Sequence, residues 1–267
     1  MAASAPIATP PRRASLERVA DLVAALVVRE FKGRYRRSLL GPAWAVIQPL
    51  GYLLTFTLVG HVLNISSEGI PYMLFVYSAL VPWTFFSNAL ARCAPTFYFK
   101  AAIVRKIALP REAFPIAEVV GSLVDFAVAG LILAAMMAWY GTPVGWPLLW
   151  LPPLVALVMA LATAVGFIVS ALGTYQFDTV FALPFVTQLW MLATPVMYSL
   201  QSVPRAWRGW YRLNPMVGII EGFRCAAVLD RTPDLWLLAF SIAITAVVWI
   251  IAWPLFRFTA KYFADVL

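Results

Sequence analysis

Hydrophobic and polar positions along the chain separate into long blocks, and the blocks predict helices that cross a bilayer. Residues 16–32 (LERVADLVAALVVREFK) place Leu16, Val19, Ala20, Val23, Leu26 and Val27 at the i, i+3, i+4, i+7 spacing of one helical face. Glu17, Arg18, Asp21, Arg29 and Glu30 interrupt this run too often for a span. An amphipathic helix lying in the inner membrane interface fits; so does a soluble helix packed on a partner. Residues 38–67 carry no Asp, Glu, Lys or Arg, which predicts a first span over 41–63. After a short polar loop, the apolar block at 70–91 predicts a second span, kinked or broken near Pro82. Further spans are expected over 114–139, 148–172, 181–200 (bent, with Pro184 and Pro195) and 235–256.

Charge sets the orientation of these blocks. Lys32, Arg34, Arg36 and Arg37 abut the first apolar block, as where a chain enters a bilayer from the cytoplasm. The 92–113 loop carries Arg92, Lys100, Arg105, Lys106 and Arg111 against Glu112, so it too is expected inside. Its part 96–109 is helix-compatible up to Pro110, and reads either as a short helix parallel to the membrane or as a solvated basic loop. Glu118 and Asp125 lie seven residues apart within the third span, on one helical face about 10 Å from each other. Buried ionisable groups of this kind mark either a gating or polar path, or a Glu118 at the interface and an Asp125 bonded to a neighbouring helix.

The 199–234 segment is the anomaly. It holds Arg205, Arg208, Arg212, Arg224 and Arg231 against Glu221, Asp230 and Asp234, yet an even span count puts it outside. Two short amphipathic helices dipping into the outer leaflet, with Asn214-Pro215 as the bend, would reconcile charge and position, as would one span fewer or more. Arg257 and Lys261 mark a cytoplasmic end after the last span. The consistent count is six spans with both termini in the cytoplasm. The fold expected is an all-α membrane protein: a disordered tail at 1–15, an interfacial amphipathic helix at 16–38, a six-span domain at 39–259 and a cytoplasmic C-terminus at 260–267.

Composition agrees. The chain is 63% hydrophobic and 12% charged, against roughly 25% charged in globular domains. Its 20 basic and 12 acidic residues are split among apolar blocks and form no continuous patch for nucleic acid. Residues 1–15 lack the apolar core of a cleaved signal peptide. Cys93 and Cys225 fall on opposite sides of the membrane in this topology, so no disulfide joins them. No phosphate-cradling glycine loop, zinc-protease motif or Cys/His set is present. With His61 as the single histidine, neither a histidine metal site nor a Ser-His-Asp triad is expected. Work against a gradient would take its energy from a partner or an ion.

Five stretches in order carry a family resemblance: RYRRSLLGPAWAVIQPL at 34–50, PYMLFVYSALVPWTFFSNAL at 71–90, IVRKIALPRE at 103–112, ALPFVTQLWMLATPVMY at 182–198 and LNPMVGIIEGFR at 213–224. The chain resembles the membrane (permease) subunit of type-2 ABC exporters, which move O-antigen, teichoic acid, capsule and related polysaccharides on lipid carriers. The resemblance implies a homodimer in the bacterial inner membrane, two ATP-binding cassette subunits beneath it, and a lipid-linked polysaccharide as substrate. No cofactor is then expected in this chain; ATP and Mg belong to the partner subunit. It implies a coupling helix at 96–112, with Lys100, Arg105, Lys106, Arg111 and Glu112 as its polar contacts to the ATPase. Arg34, Arg36 and Arg37 would attract a lipid-linked pyrophosphate at the substrate entrance, or simply anchor the chain at the headgroups. Asn214, Pro215, Glu221 and Arg224 would belong to re-entrant outer-gate helices between spans five and six. Phe56, Tyr77, Trp83, Phe85, Phe86 and Trp190 are channel candidates, with ordinary packing as the alternative for each. One departure stands out: the loop before the fifth span reads Tyr175-Gln-Phe-Asp178, without the family's usual arginine. Two rival readings are a small-molecule or drug exporter of the same superfamily and a membrane enzyme acting on polyprenyl phosphates.

Overall fold

The computed structural model describes residues 21–28, 43–62, 64–106 and 109–266, and they form helices and connecting turns with no strand. In chain order the helices are α1 (21–28), α2 (Trp44–Val62), α3 (Tyr72–Cys93), α4 (Thr96–Phe99), α5 (Ala101–Lys106), α6 (Ala113–Tyr140), α7 (Leu151–Tyr175), α8 (Asp178–Leu192), α9 (Arg208–Tyr211), α10 (Pro215–Ala227), α11 (Leu235–Ala260) and α12 (Phe263–Val266). The predicted tail at 1–15 and the Arg34, Arg36 and Arg37 cluster lie outside the described residues.

Helix α3 is the axis of the bundle. It touches α2, α6, α7, α8 and α10, and Leu74 through Phe86 are buried without a gap. A helix apolar all round needs neighbours all round. By contrast α6 and α11 bury one face and leave residues such as Leu131 and Ile250 exposed on charge-free surfaces, as a lipid-facing helix does. Among the described residues, four helices are long and apolar enough to cross a membrane: α3, α6, α7 with its 3-10 lead-in from Trp146, and α11. The other two expected spans, α2 and α8, are shorter apolar helices. At 15 residues, α8 reaches about 22 Å against a hydrocarbon core of about 30 Å.

Local chemistry sets the helix ends. Gly141 takes φ 63° after α6, and Thr142 N–H bonds back to Met137 O at 3.0 Å, so the chain turns in a left-handed cap. Asp234 caps α11 through the Trp236 and Leu237 amides, while Asn214 caps α10 with Pro215 at its first position. Two close approaches depend on glycine. A Cβ on Gly173 would run into the Ala94 carbonyl where α7 meets the end of α3, and one on Gly218 would crowd Ser241 and the Leu237 carbonyl of α11.

Several sequence expectations need correction. Of the kink or break expected near Pro82, the break does not occur: α3 is continuous from Tyr72 to Cys93. The fifth apolar block stops being helical at Leu192, not at residue 200; Pro195 cannot donate to a further turn, and residues 193–199 run irregularly onto α10. The helix expected over 96–109 divides at Lys100 into α4 and α5. Helix α11 runs on to Ala260.

Two apolar clusters hold the bundle. The larger joins α2, α3, α6, α7, α8, α10 and α11. The smaller lies at the end carrying the 92–113 loop, where Phe97, Phe114, Phe256 and Phe263 pack ring against ring with Val104 and Phe167. Leu26 of α1 is buried in this second cluster, with Leu22, Val23 and Val27 packed against it. The apolar face of α1 therefore rests at least partly on its own chain.

Candidate functional site

Between α2, α3 and α8 lies a cleft of about 210 Å³ lined by Gln48, Tyr52, Trp83, Ser87, Asn88, Thr187 and Gln188, among others. Pairs at i, i+4 spacing build its walls: Gln48 with Tyr52 on α2, and Trp83 with Ser87 on α3. Uncharged amides and hydroxyls inside apolar helices are unfavourable against lipid, so such a face is expected to meet water, a ligand or a second chain. It offers hydrogen-bond donors and acceptors without a fixed charge, beside an aromatic ring. Sequence reasoning missed Gln48, Ser87, Asn88, Thr187 and Gln188. The available signal was their clustering on facing helical stripes within charge-free blocks.

Among the candidate channel aromatics, Trp83 borders this cleft. Trp83 and Phe86 meet Trp190 edge-on, with ring centroids 6.5 and 5.1 Å away. Trp83 is nonetheless buried, and with Phe56, Tyr77, Phe85 and Phe86 it belongs to the larger core cluster, Phe85 packing against Phe126. Trp190 is half-buried and donates its indole N–H to Asn214 Oδ1 at 2.9 Å. Asn214 thereby links three elements. Its oxygen also caps α10 through Met216 N–H, and its amide donates to Thr194 Oγ1 at 2.8 Å.

Arg224 sits beside this junction, and its side chain is fully buried. It pairs with Glu221 at 2.8 Å, donates to the Pro195 and Val196 carbonyls at 2.9 and 3.2 Å, and lies 3.8 Å over the Phe75 ring. Arginine suits the place because its planar fork serves several acceptors while its face stacks on an aromatic ring. Ser199 donates to Glu68, and Tyr72 donates to the Met197 carbonyl at 2.8 Å. Residues 193–199 are thus fastened to α10 and to the α2–α3 connection. Pro215 opens α10 and is buried. Nearby, Tyr198 and Tyr211 share a hydrogen bond of 2.8 Å; burial, and next this bond, push the Tyr198 hydroxyl well above its usual range, so it stays neutral.

At the opposite end, Glu118 accepts from Lys100 Nζ at 2.6 Å and from Thr96 Oγ1 at 3.1 Å. Arg92 pairs with Asp125 and donates to Ser122 Oγ at 3.1 Å. The two acids expected on one face of the third span both turn to α3 and its continuation. Lys100 points inward, its side chain 12% exposed, and does not present its charge to the surface. Arg105 is exposed, and Arg111 and Glu112 are partly so; the side chain of Lys106 lies outside the description. Asp178 is exposed in the first turn of α8. Among the described residues, no group of His, Cys, Asp and Glu could hold a metal.

Residues 21–227 match the ABC-2 type transporter family. The chain is 27% identical over 247 residues to the O-antigen export system permease protein RfbA of Myxococcus xanthus, covering 91% of this chain and 94% of that protein. It is 24% identical over 206 residues to the protein of that name in Klebsiella pneumoniae, covering 76% and 79%. With the polysialic acid transport protein KpsM of Escherichia coli it shares 23% over 210 residues, covering 74% and 78%. A long apolar helical bundle, with a family match running from α1 to the end of α10, makes this chain a multi-pass membrane protein of the ABC-2 type transporter family.

Proposed function

We propose that this chain is the transmembrane subunit of an exporter that carries lipid-linked polysaccharide across the bacterial inner membrane. A separate ATP-binding subunit, holding ATP and Mg, drives it. The observation that carries this reading is the similarity to an O-antigen permease over nearly the full length of both chains. The uncharged cleft on α2, α3 and α8 supports it, because amides and hydroxyls next to the partly exposed Tyr52 suit sugar hydroxyls and ring faces better than a charged or wholly apolar solute.

In this reading the chain spans the membrane six times, with α2 as the first crossing, α8 as a short fifth one and both termini in the cytoplasm. Two copies face each other across the cleft. Segment α4–α5 is the coupling element, with Arg105, Lys106, Arg111 and Glu112 toward the ATPase and Lys100 turned back into the bundle. Arg34, Arg36 and Arg37, following α1, receive the carrier's pyrophosphate at the entrance. Helices α9 and α10 form the outer gate, which Asn214, Glu221 and Arg224 hold closed.

The test is biochemical. The chain should co-purify with an ATP-binding subunit, a photo-crosslinker at Arg105 should capture that subunit, and the isolated chain should not turn over ATP. Sustained ATP hydrolysis by the chain alone, or failure of every position in 100–112 to crosslink, would remove the reading.

A further inference from the structure

A second polar cavity, of about 460 Å³, opens between α9, α10 and the start of α11. Its rim carries Arg208, Arg212 and Arg231. Arg208 is tied to the Val203 and Gln201 carbonyls at 2.9 and 2.7 Å. Arg212 and Arg231 are exposed and make no side-chain hydrogen bond or ion pair with a described residue. Two acids also line the cavity, and both are already engaged. Glu221 pairs with the buried Arg224, and Asp234 accepts from the amides that open α11. What is left over is positive charge.

The surroundings give the depth. Trp236, 79% exposed, lines this cavity with Leu237 of α11, and Trp207 and Trp210, 61% and 69% exposed, lie at the start of α9 and on it, the helix that supplies Arg208 and Tyr211 to the wall. Exposed indoles at the end of a spanning helix mark the headgroup level of a bilayer. A pair of open guanidiniums there is suited to an anionic oxygen group, since arginine binds phosphate through two parallel donors.

We propose that this cavity binds the phosphate of an anionic membrane lipid in the outer leaflet, through Arg212 and Arg231, with Trp236 against the lipid. The leaflet assignment rests on the orientation proposed above. Either a bulk phospholipid or the pyrophosphate of the exported carrier supplies the same chemistry. For the carrier, the site would hold the headgroup beside the gate after crossing.

The experiment uses the complex of this chain with its ATP-binding partner, in phosphatidylcholine nanodiscs doped with phosphatidylglycerol or with a polyprenyl pyrophosphate. Lipid retained after detergent extraction is counted by native mass spectrometry. Arg212→Gln/Arg231→Gln should retain about tenfold less of the bound lipid, while Arg205→Gln should match wild type. Thr232→Trp, which fills the cavity and leaves both arginines in place, should also evict the lipid, so the test survives an unstable double variant. Loss confined to phosphatidylglycerol supports the site with a bulk lipid, and loss confined to the pyrophosphate supports it with the carrier. Unchanged retention in both variants overturns the site, as does an equal loss in Arg205→Gln or displacement by a water-soluble acidic oligosaccharide. Retention is read without transport, so a negative result here leaves the exporter reading standing, and failed export with lipid retained leaves the site standing.

Discussion

Replacing Arg224 with Met should cost the folded protein about 3–5 kcal/mol, the range seen when one member of a buried ion pair is removed. The loss has three parts. Glu221 is left as a mostly buried carboxylate with no cation; the Pro195 and Val196 carbonyls lose their donor; and the stacking on Phe75 disappears. Residues 195–199 lie beyond the end of α8, so the stretch from Pro195 loses its bonds to α10 and the Trp190–Asn214–Thr194 junction is left to hold α8 there. The measurement is folded yield and thermal unfolding of the purified complex. Glu221→Met with Arg224→Met should recover a large part of the stability, because no lone charge stays buried. It should not recover export, since the segment beneath the proposed gate still lacks the two bonds from Arg224 to the Pro195 and Val196 carbonyls. Equal instability of the single and double variants would show that the pairing is not what holds this region.

The second large effect is expected at Lys100 and Glu118, and it should appear in coupling before stability. Lys100 stands at the break between α4 and α5, where its backbone leaves the helical conformation at φ −109° and ψ 14°. Its ammonium, with Thr96, ties that break to Glu118 on α6, and about two turns further along Arg92 ties α3 to Asp125 on the same helix. Phe97 and Val104 embed the same segment among α6, α7, α11 and α12. In the proposed coupling role, a push on α4–α5 would reach α6 directly through Lys100–Glu118 and by way of α3 through Arg92–Asp125, at points about 10 Å apart along its axis. Lys100→Met/Glu118→Met keeps the volume and removes the tie without leaving a lone charge. It should leave ATP turnover of the complex near wild type while cutting substrate moved per ATP about tenfold. Parallel loss of both activities would reduce the pair to a folding element.

Much of this architecture was legible in the block pattern, because a span announces itself as a long apolar run: α7 carries no charge, α11 none before Arg257, and α6 only Glu118 and Asp125. The failures lie where tertiary contacts override local pattern. Hydropathy does not say that α8 stops at Leu192, since 193–200 stays apolar; Pro195 marks only a bend, and the stop comes with the carbonyls there being offered to Arg224. Likewise 205–231 reads as a run of arginines on amphipathic helices, and only packing separates the buried Arg224 from the exposed Arg212 and Arg231. Glu118 and Asp125 were the informative residues. Two acids seven apart in an apolar helix need partners on one side, and Lys100 and Arg92 supply them. Phe85 and Phe86 show the opposite limit: aromatic content marks neither a channel wall nor a core until neighbours are known. The cleft amides Gln48, Asn88 and Gln188 were overlooked because single uncharged polar residues barely change the hydropathy of a span.

The central claim is that an outside ATPase drives lipid-linked polysaccharide past this chain. The direct measurement is reconstitution of the chain with its ATP-binding partner in proteoliposomes loaded with the lipid-linked polysaccharide, with lectin access to the sugar on the far leaflet as the readout. Sugar should reach that leaflet only when both subunits and ATP-Mg are present, and a hydrolysis-dead partner should stop it. Lectin access that is independent of ATP or of the partner, or ATP-driven export of a small dye with no sugar transfer, would contradict it.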